Sequence, residues 1–262
     1  MLFVNGYKVT PTVFPDKTSQ IWKLSEDLIT ADRISVDRNI TWDFEGEHEF
    51  IQLVQLAFLL EKLNGVKSLI LDCPFLIYGR QDKEVSNESC FALEAFCTIM
   101  GGIKELRTFD AHNPAFFKDK NKCPFKFTNT LPYKEINKII ECSSIDLIVY
   151  PDKGATTRYP HLSATESVAA EKVRDQLTGE ITGMTIPTIK ERLSILVVDD
   201  LCDGGRTFVE LAKLILPYKP SNFVLYVSHG IFSKGTKCLF DAGYKKVYTR
   251  HGEVFSDFKM DW

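Results

Sequence analysis

The stretch LSILVVDDLCDGGRTFVEL, residues 193–211, decides the fold. Its apolar run is short and ends on Asp199-Asp200; Asp203-Gly204-Gly205-Arg206-Thr207 then leads into a segment with helical spacing. A short apolar run bounded by polar residues reads as a strand buried on both faces, and such strands belong to parallel sheets covered by helices. A glycine-bearing loop that opens a helix turns several backbone N–H groups and the positive helix end toward one point, which favours a phosphate. Thr207 adds a hydroxyl donor. Asp199 and Asp200 cannot serve a phosphate, but they suit the hydroxyls of a sugar or a hydrated Mg²⁺ beside it. The bland alternative is an aspartate cap with glycines for a tight turn.

The same rhythm runs outward from this stretch. EFIQLVQLAFLLEKLNG (49–65) has apolar residues at helical spacing and a C-terminal Asn-Gly stop, and a bounded apolar run follows at 68–71. A helix over 87–102 and a short strand from 103, ending near Asp110 and His112, come next. The polar, lysine-rich piece 117–132 reads as a loop and domain boundary, dividing the chain into 1–132 and 133–262. Beyond it lie a helix at YKEINKIIECS, a strand and loop at IDLIVYPDKGA, and a helix over 163–180, SATESVAAEKVRDQLTGE. After the opening stretch, two more strands flank one helix. Alternating strands and helices, built twice, predict an α/β protein of two tandem domains, each a mainly parallel sheet flanked by helices.

Composition narrows the class. The chain has 262 residues, 44% hydrophobic and 26% charged, and its 32 basic and 35 acidic residues give a net charge of −3. That balance offers no electrostatic footprint for nucleic acid. Seven scattered cysteines point to reduced thiols and a cytoplasmic setting. No apolar run is long enough to cross a bilayer and the first residues lack a signal-peptide pattern, so no membrane partner is expected.

In an open α/β sheet ligands bind beyond the carboxyl ends of the strands. The residues there form a set: Arg80-Gln81-Asp82, Asp110 and His112, Asp152-Lys153-Gly154, Asp199 to Thr207, and Ser228-His229-Gly230. Each alone is also what a turn or helix cap uses. Together with their order, they carry a resemblance. The acidic pair and loop resemble the sugar-phosphate loop of type I phosphoribosyltransferase folds, and the chain as a whole resembles the ribose-phosphate diphosphokinases within that fold. The carrying motifs are YGRQDK (78–83), DAHNPAFF (110–117), YPDKGATTR (150–158), EKVR (171–174) and VSHGIFSKG (227–235), in family order from about 66 to about 249. FPDKTSQ (14–20) is a weaker counterpart of the family's adenine loop.

That resemblance implies transfer of the terminal diphosphate of ATP to the anomeric hydroxyl of a phosphorylated ribose, with release of AMP. It implies ATP contacts at Arg80, Gln81, Asp82 and Asp16, and Mg²⁺ held by His112 and Asp152. Lys172 and Arg174 become the catalytic pair, and Asp199, Asp200, Asp203, Gly204, Gly205, Arg206 and Thr207 bind the ribose phosphate. It also implies a homo-oligomer, at least a dimer. His112 read alone fits an ordinary structural histidine, and Lys172 and Arg174 fit a solvated helix face. Three departures stand out. The chain ends soon after KKVYTRHGE, where the family continues with a strand and helix. Arg206 replaces a small residue before Thr207; it either points to solvent or adds a phosphate donor that suits a larger acceptor such as ADP-ribose, and the compact length resembles phage-borne members using such an acceptor. Lys153 and Ala155 stand where the family often has small residues. A phosphoribosyltransferase consuming PRPP and an inactive regulatory paralogue are the competing readings.

Overall fold

In the computed structural model, strands and helices alternate to build two six-stranded sheets, one in each of two compact units. The structure describes residues 1–24, 38–64, 69–84, 86, 88–162, 166–174 and 181–257. The first unit holds Met1–Thr130 and the second begins at Leu131. No helix among the described residues is long and apolar enough to cross a membrane.

The first sheet runs in the order β2 (Tyr7–Val9), β1 (Leu2–Val4), β5 (Arg38–Trp42), β6 (Leu69–Asp72), β7 (Glu105–Phe109), β8 (Lys126–Thr130). The pairs from β5 to β8 are parallel, and β1 runs antiparallel to both of its neighbours. Two helices, α1 (His48–Asn64) and α2 (Ala92–Ile99), supply Leu53, Leu56, Leu60, Leu93 and Phe96 to one continuous core. A small hairpin, β3 (Thr12–Val13) with β4 (Ser19–Gln20), stands apart from the sheet.

The second sheet orders as β10 (Glu166–Ala169), β9 (Leu147–Tyr150), β13 (Ser194–Cys202), β14 (Asn222–Gly230), β15 (Lys246–Thr249), β16 (Gly252–Val254). All of its pairs are parallel except β15 with β16. Alternation along β13 divides its side chains between two cores. Ile195 and Val197 pack with Phe208, Leu211 and Ile215 of α5 (Arg206–Ile215). Leu196 and Val198 pack with Ile136, Ile139 and Ile140 of α3 (Tyr133–Cys142) and with Ala155 of α4 (Lys153–Arg158). The short helix α6 (Lys237–Asp241) adds Leu239 to the α5 side. These are the helix-covered, mainly parallel sheets expected from the alternation.

Three elements differ from the sequence expectation. The segment 117–132 is not a plain loop: it takes in the end of a 3₁₀ turn, Pro114–Lys118, and the edge strand β8. Polar side chains hide the strand in the sequence, yet they make its pairing. Thr128 donates to the buried Glu105 carboxylate on β7 at 2.6 Å, and Lys126 pairs with the same carboxylate at 3.1 Å. The Phe127 ring stacks on Phe117. The helix expected over 163–180 is instead the strands β10 and β11 (Glu171–Arg174), and β11 pairs antiparallel with β12 (Ile181–Thr185); residues 163–165 and 175–180 lie outside the described residues. Alanine, glutamate and lysine favour a helix there by propensity alone, and parallel pairing of β10 with β9 overrides it. Between the two strands Ala170 is fully buried, and its N–H reaches Tyr150 O at 2.8 Å. The helix expected over 87–102 is confined to α2.

The turn after β14 depends on a missing side chain. The Phe232 ring lies against Gly230 so closely that a Cβ there would stand 2.1 Å from Cε2. Phe232 is 2% exposed and has few ways to yield. Gly230→Ala is expected to destabilise the protein by about 1–3 kcal/mol. A urea midpoint equal to that of the parent would contradict this packing.

Candidate active site

The loop after β13 is set by Gly205. It has φ +77° and caps α5; a Cβ on it would stand 3.1 Å from Cys238 Sγ and 3.3 Å from Leu239 Cδ2. Only glycine fits both the left-handed backbone and the space. Its carbonyl accepts the N–H groups of Phe208 and Val209, each at 3.0 Å, so α5 begins here with its positive end at the loop. Asp203, Gly204, Arg206 and Thr207 surround that helix end, and Arg206 is exposed. The stem of Lys234 lies across Gly204, 3.4 Å from where a Cβ would stand. The start of α5 and the Lys234 stem meet at this loop, an arrangement able to receive an anion.

Immediately upstream, Asp199 and Asp200 converge on one guanidinium. Arg158 Nη1 donates to Asp200 Oδ1 at 2.7 Å and to Asp199 Oδ1 at 3.1 Å. The Arg158 and Asp200 side chains are each 6% exposed, and that of Asp199 is 17% exposed. Burial, followed by the neighbouring Asp200 carboxylate, pushes the Asp199 carboxyl well above the usual range, and Arg158 pulls it back. Arg158 closes α4, whose N-cap is Asp152: Ala155 N–H donates to Asp152 Oδ1 at 3.0 Å. Burial also pushes up the Cys202 thiol, which accepts from Gly205 N–H.

Lys172 and Arg174 lie on β11, not on a helix. Lys172 pairs with Met184 of β12, and a bulge falls between Val173 and Arg174. Met184 packs on the α5 core, which places this hairpin on the α5 side of the sheet. At its base Glu171 pairs with Lys153 of α4 at 2.8 Å.

In the first unit, Arg80, Gln81 and Asp82 occupy a turn that starts at Tyr78, φ +59°, with Gln81 N–H donating to Tyr78 O at 2.8 Å. Asn113 Nδ2 donates to Asp82 Oδ2 at 2.7 Å, which joins this turn to the segment bearing His112. That segment begins at the buried Asp110, φ +52°, held by its N–H on Thr130 O, while Ala111 N–H bonds Asn129 Oδ1 on β8. Asp16 sits differently. It is exposed between β3 and β4, where its carboxylate accepts from the Thr18 N–H and hydroxyl, and no described contact joins it to Arg80–Asp82. Those hydrogen bonds hold its carboxyl below the ordinary value.

Among the described residues no group of three or more histidines, cysteines and carboxylates is placed to hold a metal ion. Mg²⁺ does not need one, because it takes one or two carboxylates and fills its remaining positions with water and substrate phosphates. Asp152, at the end of β9, is a carboxylate of that kind. Sequence reasoning passed over Arg158 and Asn113 as site residues. Arg158 closes the motif YPDKGATTR, but what it does depends on partners 41 and 42 residues away.

No family model matches the chain. It is 27% identical over 199 residues to the ribose-phosphate pyrophosphokinase of Pyrococcus furiosus, covering 73% of this chain and 69% of that protein. It is 28% identical over 190 residues to the Pyrococcus abyssi protein of the same name, covering 70% and 65%. Against the chloroplastic ribose-phosphate pyrophosphokinase 3 of Arabidopsis thaliana, identity is 26% over 208 residues, and the chain spans 49% of that protein's length. Among solved structures, the phosphoribosylpyrophosphate synthetase of Mycobacterium smegmatis superposes with a TM-score of 0.67 at 16% identity, covering 82% of this chain and 72% of that one, which establishes a shared fold.

The raised Asp199 carboxyl gives a stability prediction. A carboxyl whose folded pKa exceeds its unfolded value costs nothing below about pH 3.9, and its cost grows as pH rises toward the folded value. Asp199→Asn is therefore expected to resist urea better than the parent at pH 8, with the difference closing toward pH 4. A variant weaker than the parent at pH 8 would contradict this electrostatic account.

Proposed function

The chain is a homologue of the ribose-phosphate pyrophosphokinases, and from that premise we propose that it moves the β,γ-diphosphate of ATP onto the anomeric hydroxyl of a 5-phosphorylated ribose, releasing AMP. The observation that carries this reading is the end of β13. There an anion cradle at the start of α5 directly follows two carboxylates gathered on one arginine. A 5-phosphate on the backbone donors leaves the sugar hydroxyls within reach of Asp199 and Asp200, which accept from them.

In this reading the anomeric oxygen forms a bond to the β-phosphorus while the bond from that phosphorus to the oxygen bridging the α-phosphate breaks. The electron pair leaves with AMP. Such transfers depend on alignment and charge neutralisation. Lys172 and Arg174, on their hairpin, supply positive charge to the transferring group. Arg80, Gln81 and Asp82 bind ATP, Asp82 being fixed by Asn113. Asp16, on the β3–β4 hairpin, is a further ATP contact in this reading through the likeness of FPDKTSQ to the family's adenine loop. His112 of the first unit and Asp152 of the second would each offer Mg²⁺ a ligand, and the metal would supply charge to neutralise phosphate oxygens. The active form in this reading is a homo-oligomer, at least a dimer.

A second acceptor is favoured by a specific observation. A monophosphate is satisfied by backbone donors, yet Arg206 and Lys234 add two cations beside the cradle. They suit a diphosphate ester, such as that of ADP-ribose, which would yield ADP-ribose 1-pyrophosphate.

AMP release from ATP and Mg²⁺, measured with ribose 5-phosphate and with ADP-ribose, tests the reading. AMP formation with either acceptor supports it. Consumption of PRPP with a nucleobase and no AMP from either acceptor would establish a phosphoribosyltransferase instead. Changing both Lys172 and Arg174 to alanine is expected to lower the rate by about 10³-fold or more, and a nearly unchanged rate would remove their catalytic role. Arg206→Gly should raise the KM for ADP-ribose by about 10-fold and that for ribose 5-phosphate much less. Equal effects on both would eliminate the diphosphate acceptor.

A further inference from the structure

Arg158 is a buried cation at the site to which neither the sequence motifs nor the relatives' names give a role. It is the last residue of a helix of 6 residues, and that helix is fixed at its other end by the Asp152 cap. Its guanidinium carbon lies 5.7 Å from the centroid of the Tyr159 ring. Tyr159 is 2% exposed and stacks on Tyr150 of β9. The arm that carries the guanidinium is therefore rigid, and one nitrogen, Nη1, reaches both carboxylates of the acidic pair.

A guanidinium in a protein does not give up its proton, so one permanent positive charge is held among two carboxyl groups. A buried ion cluster of this kind adds little net stability, because desolvation cancels most of the attraction. Packing energy thus leaves its position unexplained. The position is explained by what two adjacent buried carboxylates would do alone: repel, turn apart or share a proton, and a shared proton turns an acceptor into a donor. Arg158 Nη1 reaches Oδ1 of each carboxyl, and the Asp200 N–H also donates to Asp199 Oδ1 at 2.9 Å, so the pair is gripped in one fixed orientation.

We propose that Arg158 is the positioning residue of the sugar site: by gripping Asp199 and Asp200 together it presets both carboxylates to receive the vicinal diol of a pentose phosphate. This rests on the sugar-phosphate reading of the β13 loop. In this reading Arg158 acts on the two carboxylates, so its loss falls on acceptor binding and leaves chemistry at saturation and the nucleotide site largely untouched.

The test compares the parent with Arg158→Gln and Arg158→Lys. Calorimetry with ribose 5-phosphate and with ADP-ribose, in the absence of nucleotide, measures binding, AMP release at saturating ATP gives kinetics, and urea unfolding checks the fold. For Arg158→Gln, the Kd and KM of the better acceptor should rise about 10-fold to 100-fold, with kcat within about 3-fold of the parent and the KM for ATP unchanged. Arg158→Lys, which keeps the charge and loses the planar fork, should fall between the two. Should Arg158→Gln fail to fold, Arg158→Lys decides: an acceptor KM equal to the parent's overturns the proposal. Unchanged acceptor affinity in a folded Arg158→Gln, or a parallel rise in both KM values, overturns it while leaving the diphosphokinase reading intact. If the parent binds an acceptor but releases no AMP, the diphosphokinase reading fails, and the calorimetry still judges Arg158. A parent that binds neither acceptor overturns both.

Discussion

Two carboxylates side by side at the end of a buried strand repel each other, and the second unit is arranged around the answer to that repulsion. Arg158 comes to Asp199 and Asp200 on α4, and α4 is set in turn by Asp152 at its N-cap and by Ala155 and Tyr159 in the core it shares with β9 and β13. Four of the segments that looked unrelated along the chain thus become one mechanical unit: the end of β9, α4, the end of β13 and the start of α5.

Much of this was legible before any coordinates. LSILVVDDLCDGGRTFVEL gives strand, loop and helix from local information alone: a run too short for a helix, a glycine where the backbone turns left-handed, and apolar residues at helical spacing afterward. The same logic places a helix over 49–65, observed as α1, and strands ahead of Asp82, His112 and Asp152. What escaped was non-local. Lys126, Thr128 and Asn129 read as a polar loop until Glu105 and Ala111 give them partners. Glu166 to Arg174 read as helix until β9 offers an edge to pair with. Arg158 could not be singled out because its significance lies in residues of another strand.

The first unit repeats the theme with weaker charges. Asp82 and His112 belong to different crossovers, and the Asn113 amide ties their turns together. The β8 edge strand supports that corner through Thr130 and Asn129, so a segment that looks like a linker holds the backbone under His112 in its left-handed entry at Asp110. Asp16 has no such support and spends its carboxylate on its own turn.

Ala170 has a consequence of its own. It is welded into the sheet by its N–H on Tyr150 O, and the strand bearing Lys172 departs from the next residue, where the Glu171–Lys153 contact is open to water and worth little. The strand that carries Lys172 and Arg174 therefore leaves the sheet from a buried, hydrogen-bonded residue, while the ion pair beside it is open to dissolved salt.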